Sequence, residues 1–266
     1  MSLHQSPYSQ EIRTSEHGFG LEGVLQQRAA RVVGILNGVD YNVWNPATDP
    51  FIARQYGPGD LVGKAVCKAD LQRAFRLPQE SCIPLLGIVS RLASQKGLDL
   101  LEAILDELLR MDVQLVMLGS GDRHYQDYFR FAALRHADKL AVRIGFDEGL
   151  AHKIEAGADM FLMPSRYEPC GLNQLYSLKY GTIPIVRATG GLKDSVEEFD
   201  PVSGTGTGFV FESYSGAALQ DAMNRALATY YRKDEWGILM KNAMTVDHSW
   251  SYSAREYLAL YHKLLG

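Results

Sequence analysis

Residues 163–181, MPSRYEPCGLNQLYSLKYG, place a lone carboxylate where a buried apolar run ends and a helical pattern begins. Two prolines flank this carboxylate, Glu168, and stiffen its loop. Cys170 and Gly171 start the helical pattern, so we expect their backbone N–H groups to face a crevice that attracts anionic groups. The alternative is that Glu168 only interacts with the end of the helix, an effect of about 0.3–1 kcal/mol.

Two cations, Arg91 and Lys96, follow another apolar run in the segment SRLASQKG. Arg91 lies at the end of the predicted strand, and Lys96 lies where the next helix begins. A helix N-terminus carries unpaired N–H groups and the positive end of the helix dipole. Together with two fixed cations, it would bind a diphosphate. Surface salt bridges are the alternative for both side chains.

Groups that suit a ligand follow three further apolar runs. Glycine in the segment GSGD would let a backbone approach a ligand closely. Phe146 could stack on a nucleotide base, although packing into the core explains its position equally well. The remaining candidates at these strand ends are Gly119, Gly121, Thr189, Gly190 and Gly191.

These residues are positioned by an alternation of apolar runs with helices of about 10–15 residues, which begins at Pro84 and is typical of parallel α/β proteins. The alternation predicts an α/β fold with a doubly wound parallel sheet and helices on both faces. Ligands bind such a sheet at the carboxyl ends of its strands. The predicted strands are 85–92, 113–121, 140–146, 159–165, 182–189 and a short last strand within 204–211.

The predicted helices are 64–77, 97–111, 124–137, 148–157, 171–181, 216–233, 235–246 and 252–265. Apart from the first of these helices, residues 1–83 look irregular because they are dense in turn-forming pairs such as Asn37-Gly38.

The composition excludes several classes of protein. The 266 residues carry a net charge of −4 and no strongly basic stretch, so nucleic acid is a poor candidate partner. No apolar run approaches the roughly 20 residues that cross a bilayer, and the amino terminus lacks the apolar core of a signal peptide. The three cysteines are far apart, form neither a disulfide framework nor a zinc site, and favour a cytoplasmic location.

The segments SRLASQKG, PSRYEPCGLNQLYSLKYGTIPIVRATGGLKDSV and GTGTGF closely resemble the carboxyl-terminal domain of bacterial glycogen synthases and plant starch synthases. GILNGVDYNVWNPATDP is similar to the segment that leads into that domain. The resemblance covers nearly the whole chain. It implies the Rossmann-like, carboxyl-terminal half of a two-domain GT-B glycosyltransferase. Such enzymes transfer glucose, with retention, from ADP-glucose to the non-reducing end of an α-1,4-glucan, and they need no metal or cofactor.

The resemblance also implies roles for single residues. Arg91 and Lys96 would hold the donor diphosphate and stabilise the leaving group, and Glu168 would contact the transferred glucose and support an oxocarbenium-like transition state. Phe146 would stack on adenine. The other substrate-binding candidates are Gly119, Gly121, Cys170, Gly171, Leu172, Asn173, Tyr176, Thr189, Gly190 and Gly191.

Tyr176 stands where many related retaining transferases carry a second glutamate. This fits the bacterial and plant synthases and speaks against the animal and fungal UDP-glucose type, and against enzymes of the sucrose- or trehalose-phosphate type. A glucan phosphorylase would need a lysine motif for pyridoxal phosphate, and we find none.

The synthases are about twice as long as this chain, so we expect a fragment that is inactive alone. Residues 1–83 would be a remnant of the amino-terminal domain with a linker and leading helix, 84–246 the nucleotide-sugar domain, and 247–266 a helix returning to the missing domain. MSL at the start would be a cloning remnant. The expected partners are ADP-glucose or ADP, and a glucan bound mostly by the missing domain. The alternative is a non-catalytic module that binds nucleotide or glucan.

Overall fold

Apolar runs form a parallel sheet of six strands. The computed structural model describes residues 7–265, so the proposed MSL remnant lies outside the described residues. The sheet order is β3-β2-β1-β4-β5-β6, and every neighbouring pair is parallel. The strands are β1 (Leu85–Val89), β2 (Gln114–Gly119), β3 (Leu140–Ile144), β4 (Met160–Met163), β5 (Ile183–Arg187) and β6 (Phe209–Phe211).

Side chains on both faces of the sheet are buried. Successive side chains of a strand point to opposite faces, so a single strand contributes to two apolar clusters. Leu115 and Met117 of β2 enter one apolar cluster, whereas Val116 and Leu118 enter another. The first cluster also contains residues of α4 (Leu98–Arg110), α5 (Arg123–Arg135) and α9 (Gly216–Tyr231). The second contains residues of α3 (Val62–Ala74), α6 (Glu148–Gly157) and α8 (Gly190–Ser195). These two layers confirm the predicted doubly wound α/β fold.

The remaining helices are α1 (Pro7–Glu11), α2 (Glu22–Gln27), α7 (Asn173–Tyr180), α10 (Lys233–Thr245) and α11 (Trp250–Leu265). The helix α10 packs against α7 and α9. The prediction that residues 1–83 are irregular apart from one helix is therefore only partly correct, since they also contain α1 and α2. The predicted domain boundaries at 83/84 and 246/247 stay predictions.

The chain order reverses between two adjacent strands. From β1 the chain builds outward through β2 to β3, then returns to form β4 on the other side of β1. At such a switch point the connections leave in opposite directions and open a crevice at the carboxyl ends of the strands. The segments that follow β1 and β4 therefore line this crevice.

The helix α7 begins at Asn173, two residues later than predicted. Gly171 has φ +68°, a conformation that glycine adopts without strain. Cys170 and Gly171 consequently belong to the loop after β4. The sequence pattern also missed α8, because its first two residues are glycines, which are poor helix formers.

The chain enters and leaves the sheet region at one place. Val39 accepts a backbone hydrogen bond from Trp250 (3.3 Å) and donates one to His248 (2.7 Å). A Cβ at Gly38 would lie 2.3 Å from the Cα of Trp250, so only glycine permits this approach. Nearby, the ring of Trp44 is stacked between His152 (3.8 Å) and Tyr176 (4.0 Å).

The last helix, α11, buries only Ser253. Several large apolar side chains of this helix are exposed; they are Tyr257, Leu258, Tyr261, Leu264 and Leu265. Among residues 7–265, no helix has the length and apolar character needed to cross a bilayer.

Candidate functional site

Two adjoining clefts open at the carboxyl ends of β1 to β4. The first, of about 200 Å³, lies between the loops that follow β1 and β4 and is lined by Arg91, Lys96 and Glu168. The second, of about 260 Å³, reaches past the ends of β2 and β3 to Phe146. Arg91 and Asn173 line both clefts. The structure thus brings together eight of the residues that the sequence singled out: Arg91, Lys96, Gly119, Phe146, Glu168, Gly171, Leu172 and Asn173.

The central contact of the first cleft is an ion pair. The Nζ atom of Lys96 donates to Oε2 of Glu168 at 2.6 Å. The hydroxyl of Ser165 donates to the same oxygen at 3.2 Å. Glu168 is 7% exposed, and these two donors contact its buried Oε2 atom. A cation and a carboxylate therefore face one crevice, side by side.

A short turn positions Lys96 against the loop after β4. Residues 94–96 form one turn of 3₁₀ helix that ends at Gly97, with φ +71°. A Cβ at this position would lie 1.9 Å from the carbonyl oxygen of Pro164. Glycine therefore allows the β1 and β4 loops to meet directly beneath Lys96.

Arg91 is exposed, and its Nη2 atom donates to Oε1 of Gln95 at 2.8 Å. The backbone of Gln95 accepts from the N–H of Arg166 at 2.8 Å. Gln95 consequently joins the loop that carries the cations to the loop that carries Glu168, a role that sequence reasoning missed.

Arg187, at the end of β5, also holds the Glu168 loop and was not predicted. Its Nε atom donates to the carbonyl oxygen of Ser165 at 2.8 Å, and its Nη2 atom donates to that of Arg166. Burial lowers the pKa of the Arg187 guanidinium. The sequence signal for this role was the arginine in the segment RATGG, because a long cationic side chain at the end of one strand can reach the loop that follows the neighbouring strand.

The predicted donors after β5 point to other parts of the protein. The hydroxyl of Thr189 and the N–H of Gly190 both donate to Oε1 of Glu11, each at 2.9 Å. The N–H of Gly191 donates to the carbonyl oxygen of Glu168 at 3.0 Å. None of these three donors lines either cleft. Their proposed contact with substrate stays a prediction.

Phe146 lies at the mouth of the second cleft with 91% of its surface exposed. This exposure excludes the packing alternative considered for it. Gly119 also lines this cleft. A Cβ there would lie 1.9 Å from the carbonyl oxygen of Ser90, so glycine is needed for the close contact between the end of β2 and the loop after β1. Gly121 pairs with Leu92 outside both clefts.

Some of the residues around the start of α7 line the first cleft, and others lie outside both clefts. Gly171, Leu172 and Asn173 line the first cleft, and the Nδ2 atom of Asn173 donates to the carbonyl oxygen of Val89 at 2.5 Å. Cys170 is half-buried outside both clefts, and burial raises the pKa of its thiol. Tyr176, stacked on Trp44, also lies outside them.

Taken together, the joined clefts offer an exposed aromatic ring at one end, two cations in the middle and a buried carboxylate at the other end. Cations and backbone donors neutralise a diphosphate, and a carboxylate can stabilise positive charge that develops on a reacting sugar. In the part of the chain that the structure describes, no group of three or more His, Cys, Asp or Glu side chains could hold a metal ion.

Comparison with known proteins agrees with this arrangement. Residues 76–238 match the family described as Glycosyl transferases group 1. The glycogen synthase of Koribacter versatilis is 54% identical over 96% of this chain and 53% of that protein. The glycogen synthase of Thermotoga petrophila is 51% identical over 97% of this chain and 54% of that protein.

A solved structure is also similar. The catalytic domain of starch synthase IV from Arabidopsis thaliana, bound to ADP and acarbose, superposes with a TM-score of 0.91 at 38% identity. The match covers 97% of this chain and 54% of that chain. The resemblance drawn from the sequence motifs is thereby confirmed.

The chain spans about half the length of the curated relatives it matches. The family match covers more than half of this chain and contains every residue that lines the two clefts. The chain belongs to the group 1 glycosyl transferase family.

Proposed function

We propose that this chain binds ADP-glucose and forms the donor half of a retaining glucosyltransferase that extends an α-1,4-glucan. The observation that carries the proposal is the joining of the two clefts at Arg91 and Asn173, with Phe146 at one end and Glu168 at the other. A sugar nucleotide has the same linear order of parts: base, diphosphate and sugar.

The relatives support the nature of the donor and the reaction. The structurally similar starch synthase IV was solved with ADP and acarbose, and the curated relatives are glycogen synthases. We also propose that a glucan is the acceptor and that the protein is cytoplasmic.

In the proposed reaction, Phe146 stacks on the adenine, which fixes the nucleotide in the second cleft. Arg91 and Lys96 bind the diphosphate and neutralise the charge that develops on it as the bond to glucose breaks. Glu168 lies beside the sugar and stabilises positive charge on its reacting carbon. Because these groups are held in place before the reaction, they stabilise the transition state with little reorganisation.

In the proposed complex Lys96 contacts the diphosphate as well as Glu168. Its Nζ atom is already hydrogen-bonded to that carboxylate at 2.6 Å. An ammonium group has three donors, so Lys96 can contact both.

A second candidate function is nucleotide binding without turnover. The observation that favours it is the exposed ring of Phe146 beside Arg91 in the second cleft, which would bind a nucleotide whether or not glucose is transferred. The same clefts would then bind ADP-glucose without completing a catalytic site.

Titration calorimetry of the 266-residue chain with ADP-glucose, ADP and UDP tests the proposal. We expect both adenine nucleotides to bind, and ADP to bind more tightly than UDP. Transfer of radiolabelled glucose to a maltooligosaccharide, measured with this chain joined to the amino-terminal half of the Koribacter versatilis glycogen synthase, then separates the two candidates, since a binding module gives no transfer even there. Absence of adenine nucleotide binding, or tighter binding of UDP, would contradict the proposed donor.

A further inference from the structure

A carboxylate from the start of the chain reaches the Glu168 loop through α8. Oε1 of Glu11, the last residue of α1, accepts hydrogen bonds from the hydroxyl of Thr189 and the N–H of Gly190, both at 2.9 Å. These residues lie 178 and 179 positions away in the sequence. No local sequence pattern requires such a contact, so it arises from the tertiary fold.

Glu11 replaces the usual cap of this helix. Thr189 is in the N-cap position of α8, but its side chain makes no cap hydrogen bond within that helix. Threonine at an N-cap ordinarily accepts from a backbone N–H two or three residues later. Here its hydroxyl donates to Glu11 instead, and the carboxylate takes the N–H of Gly190. The start of α8 is thus fixed by α1.

The start of α8 in turn fixes the backbone of Glu168. The N–H of Gly191 donates to the carbonyl oxygen of Glu168 at 3.0 Å. A Cβ at Gly190 would lie 2.0 Å from that same oxygen. The two backbones are therefore in direct contact, and a shift of α8 would displace the residue that carries the buried carboxylate.

The segment after α1 contacts the same loop from a second direction. The rings of His17 and Phe19 lie 5.8 Å and 6.0 Å from the ring of Tyr167, the residue before Glu168. Phe19 has φ +49°, a conformation that is strained for a bulky side chain and is found where surrounding contacts enforce it. Residues 11–19 therefore hold the Glu168 loop at two points.

One oxygen of Glu11 makes an unfavourable contribution to the stability of the fold. Its second oxygen, Oε2, is buried and has no hydrogen-bond partner among the described residues. A buried, unsatisfied carboxylate oxygen is unfavourable. The negative charge of Glu11 does act favourably on the nearby guanidinium of Arg187, which holds the Glu168 loop from the other side.

We propose that Glu11 is a positioning residue that fixes the Glu168 loop for the glucose part of the donor, acting through Thr189, Gly190 and α8. This inference rests on the proposed function, because it assigns the loop to the sugar. Glu11 is 178 positions from Thr189 in the sequence, and it lies outside both clefts.

The test compares Glu11→Ala and Glu11→Gln with Glu107→Gln. Glu107 is an exposed carboxylate on α4 that lines neither cleft, so it is a control for the loss of a negative charge. Hydrogen exchange of residues 164–171 and 189–195, measured by mass spectrometry, reports the loop directly. We expect faster exchange in both segments for the alanine variant, an intermediate rate for glutamine, which keeps one acceptor oxygen, and no change for the control.

Nucleotide affinity distinguishes positioning from general destabilisation. ADP contacts Phe146 and the two cations in the proposal, whereas ADP-glucose also needs the Glu168 loop. We expect Glu11→Ala to weaken ADP-glucose binding about tenfold, which corresponds to about 1.4 kcal/mol, while the affinity for ADP changes less than about twofold. Glutamine should restore part of the loss.

Two results would overturn the inference. One is unchanged exchange of both segments in Glu11→Ala, and the other is an equal loss of affinity for ADP and ADP-glucose. If the wild-type chain binds neither nucleotide, the proposed function fails and the sugar-positioning role fails with it. Accelerated exchange would then show only that Glu11 holds the loop.

Discussion

The Nζ atom of Lys96 lies 2.6 Å from Oε2 of Glu168, although the two residues are separated by 72 positions. The contact joins the segment after β1 to the segment after β4, across the point where the sheet order reverses. Removal of either partner would leave the other without its closest countercharge. The pair therefore couples the proposed diphosphate contact to the proposed sugar contact.

Replacement of Lys96 by alanine should weaken ADP binding, because a charge-assisted hydrogen bond contributes about 1.5–3 kcal/mol. We expect the ADP-induced increase in melting temperature to become much smaller in Lys96→Ala. The control is Lys153→Ala, since Lys153 pairs with Asp70 outside both clefts. Equal shifts in the wild type and Lys96→Ala would remove this lysine from the diphosphate site.

Replacement of Phe146 by alanine should weaken the binding of ADP but leave the fold intact. Stacking of a base on an aromatic ring contributes about 1–3 kcal/mol, and the side chain is 91% exposed, so its loss removes little buried surface. Calorimetry with ADP and a thermal melt without ligand measure the two effects. Phe131→Ala is the control, because Phe131 is also exposed but lies on α5. Comparable losses of affinity in both variants would refute the stacking role.

Alanine at Gly97 and at Gly237 should have opposite effects. At Gly97 the new Cβ would meet the carbonyl oxygen of Pro164 at 1.9 Å in a left-handed backbone, and such strain costs on the order of 1–3 kcal/mol. Gly237 lies within α10, with nothing near its virtual Cβ, so alanine should stabilise the helix by about 0.5–1 kcal/mol. Urea unfolding measures both changes.

ADP binding gives a second readout for the glycine pair. Gly97 follows Lys96 directly, so Gly97→Ala should also weaken ADP binding, whereas Gly237→Ala should not. A Gly97→Ala variant with wild-type stability and ADP affinity would show that the two loops do not need their close approach.

Glu155 should make the protein less stable as the pH rises. Burial raises the pKa of this carboxyl from 4.5 to about 8, while the hydroxyl of Ser177 and the charge of Lys64 act in the opposite direction. The folded state therefore holds a proton that the unfolded chain releases above pH 4.5. The stabilisation that this bound proton gives the folded state is complete below pH 4.5 and is lost progressively up to about pH 8. The free energy of unfolding changes by an amount on the order of a few kcal/mol.

Glu155→Gln removes this titration and keeps an oxygen that can accept from Ser177. We expect the two proteins to have similar free energies of unfolding at pH 5, and the glutamine variant to be the more stable at pH 8. Urea unfolding at both pH values measures the difference. Parallel pH profiles for the two proteins would mean that the Glu155 carboxyl titrates normally in the fold.

The strands and most helices could be predicted from the sequence because their apolar runs are long and bounded by turn residues. The same pattern placed Arg91, Lys96 and Glu168 at strand ends, which the sheet topology brings to one crevice. The start of α7 was predicted too early, since the effect of the left-handed Gly171 depends on its backbone conformation. The short helix α8 was missed because its glycines suggested a loop.

The support of the site could not be predicted. The hydrogen bonds of Arg187 and of Glu11 join segments that are far apart in sequence, and nothing in either segment specifies its partner. Thr189 and Gly190 were predicted to donate to a ligand, because a hydroxyl or N–H group donates in the same way to a ligand and to a carboxylate of the protein. Only the tertiary structure shows that a carboxylate of the same chain occupies them.

The backbone pairing of Val39 with His248 and Trp250 has a mechanical consequence. Both segments that flank the sheet region meet at this pairing, so a force applied to either one is shared with the other. The enclosed residues, 40–247, make up nearly eight-tenths of the chain. They are held at a second place by the hydrogen bonds of Glu11 with Thr189 and Gly190, so a rotation of the enclosed residues about the pairing would have to break those bonds first.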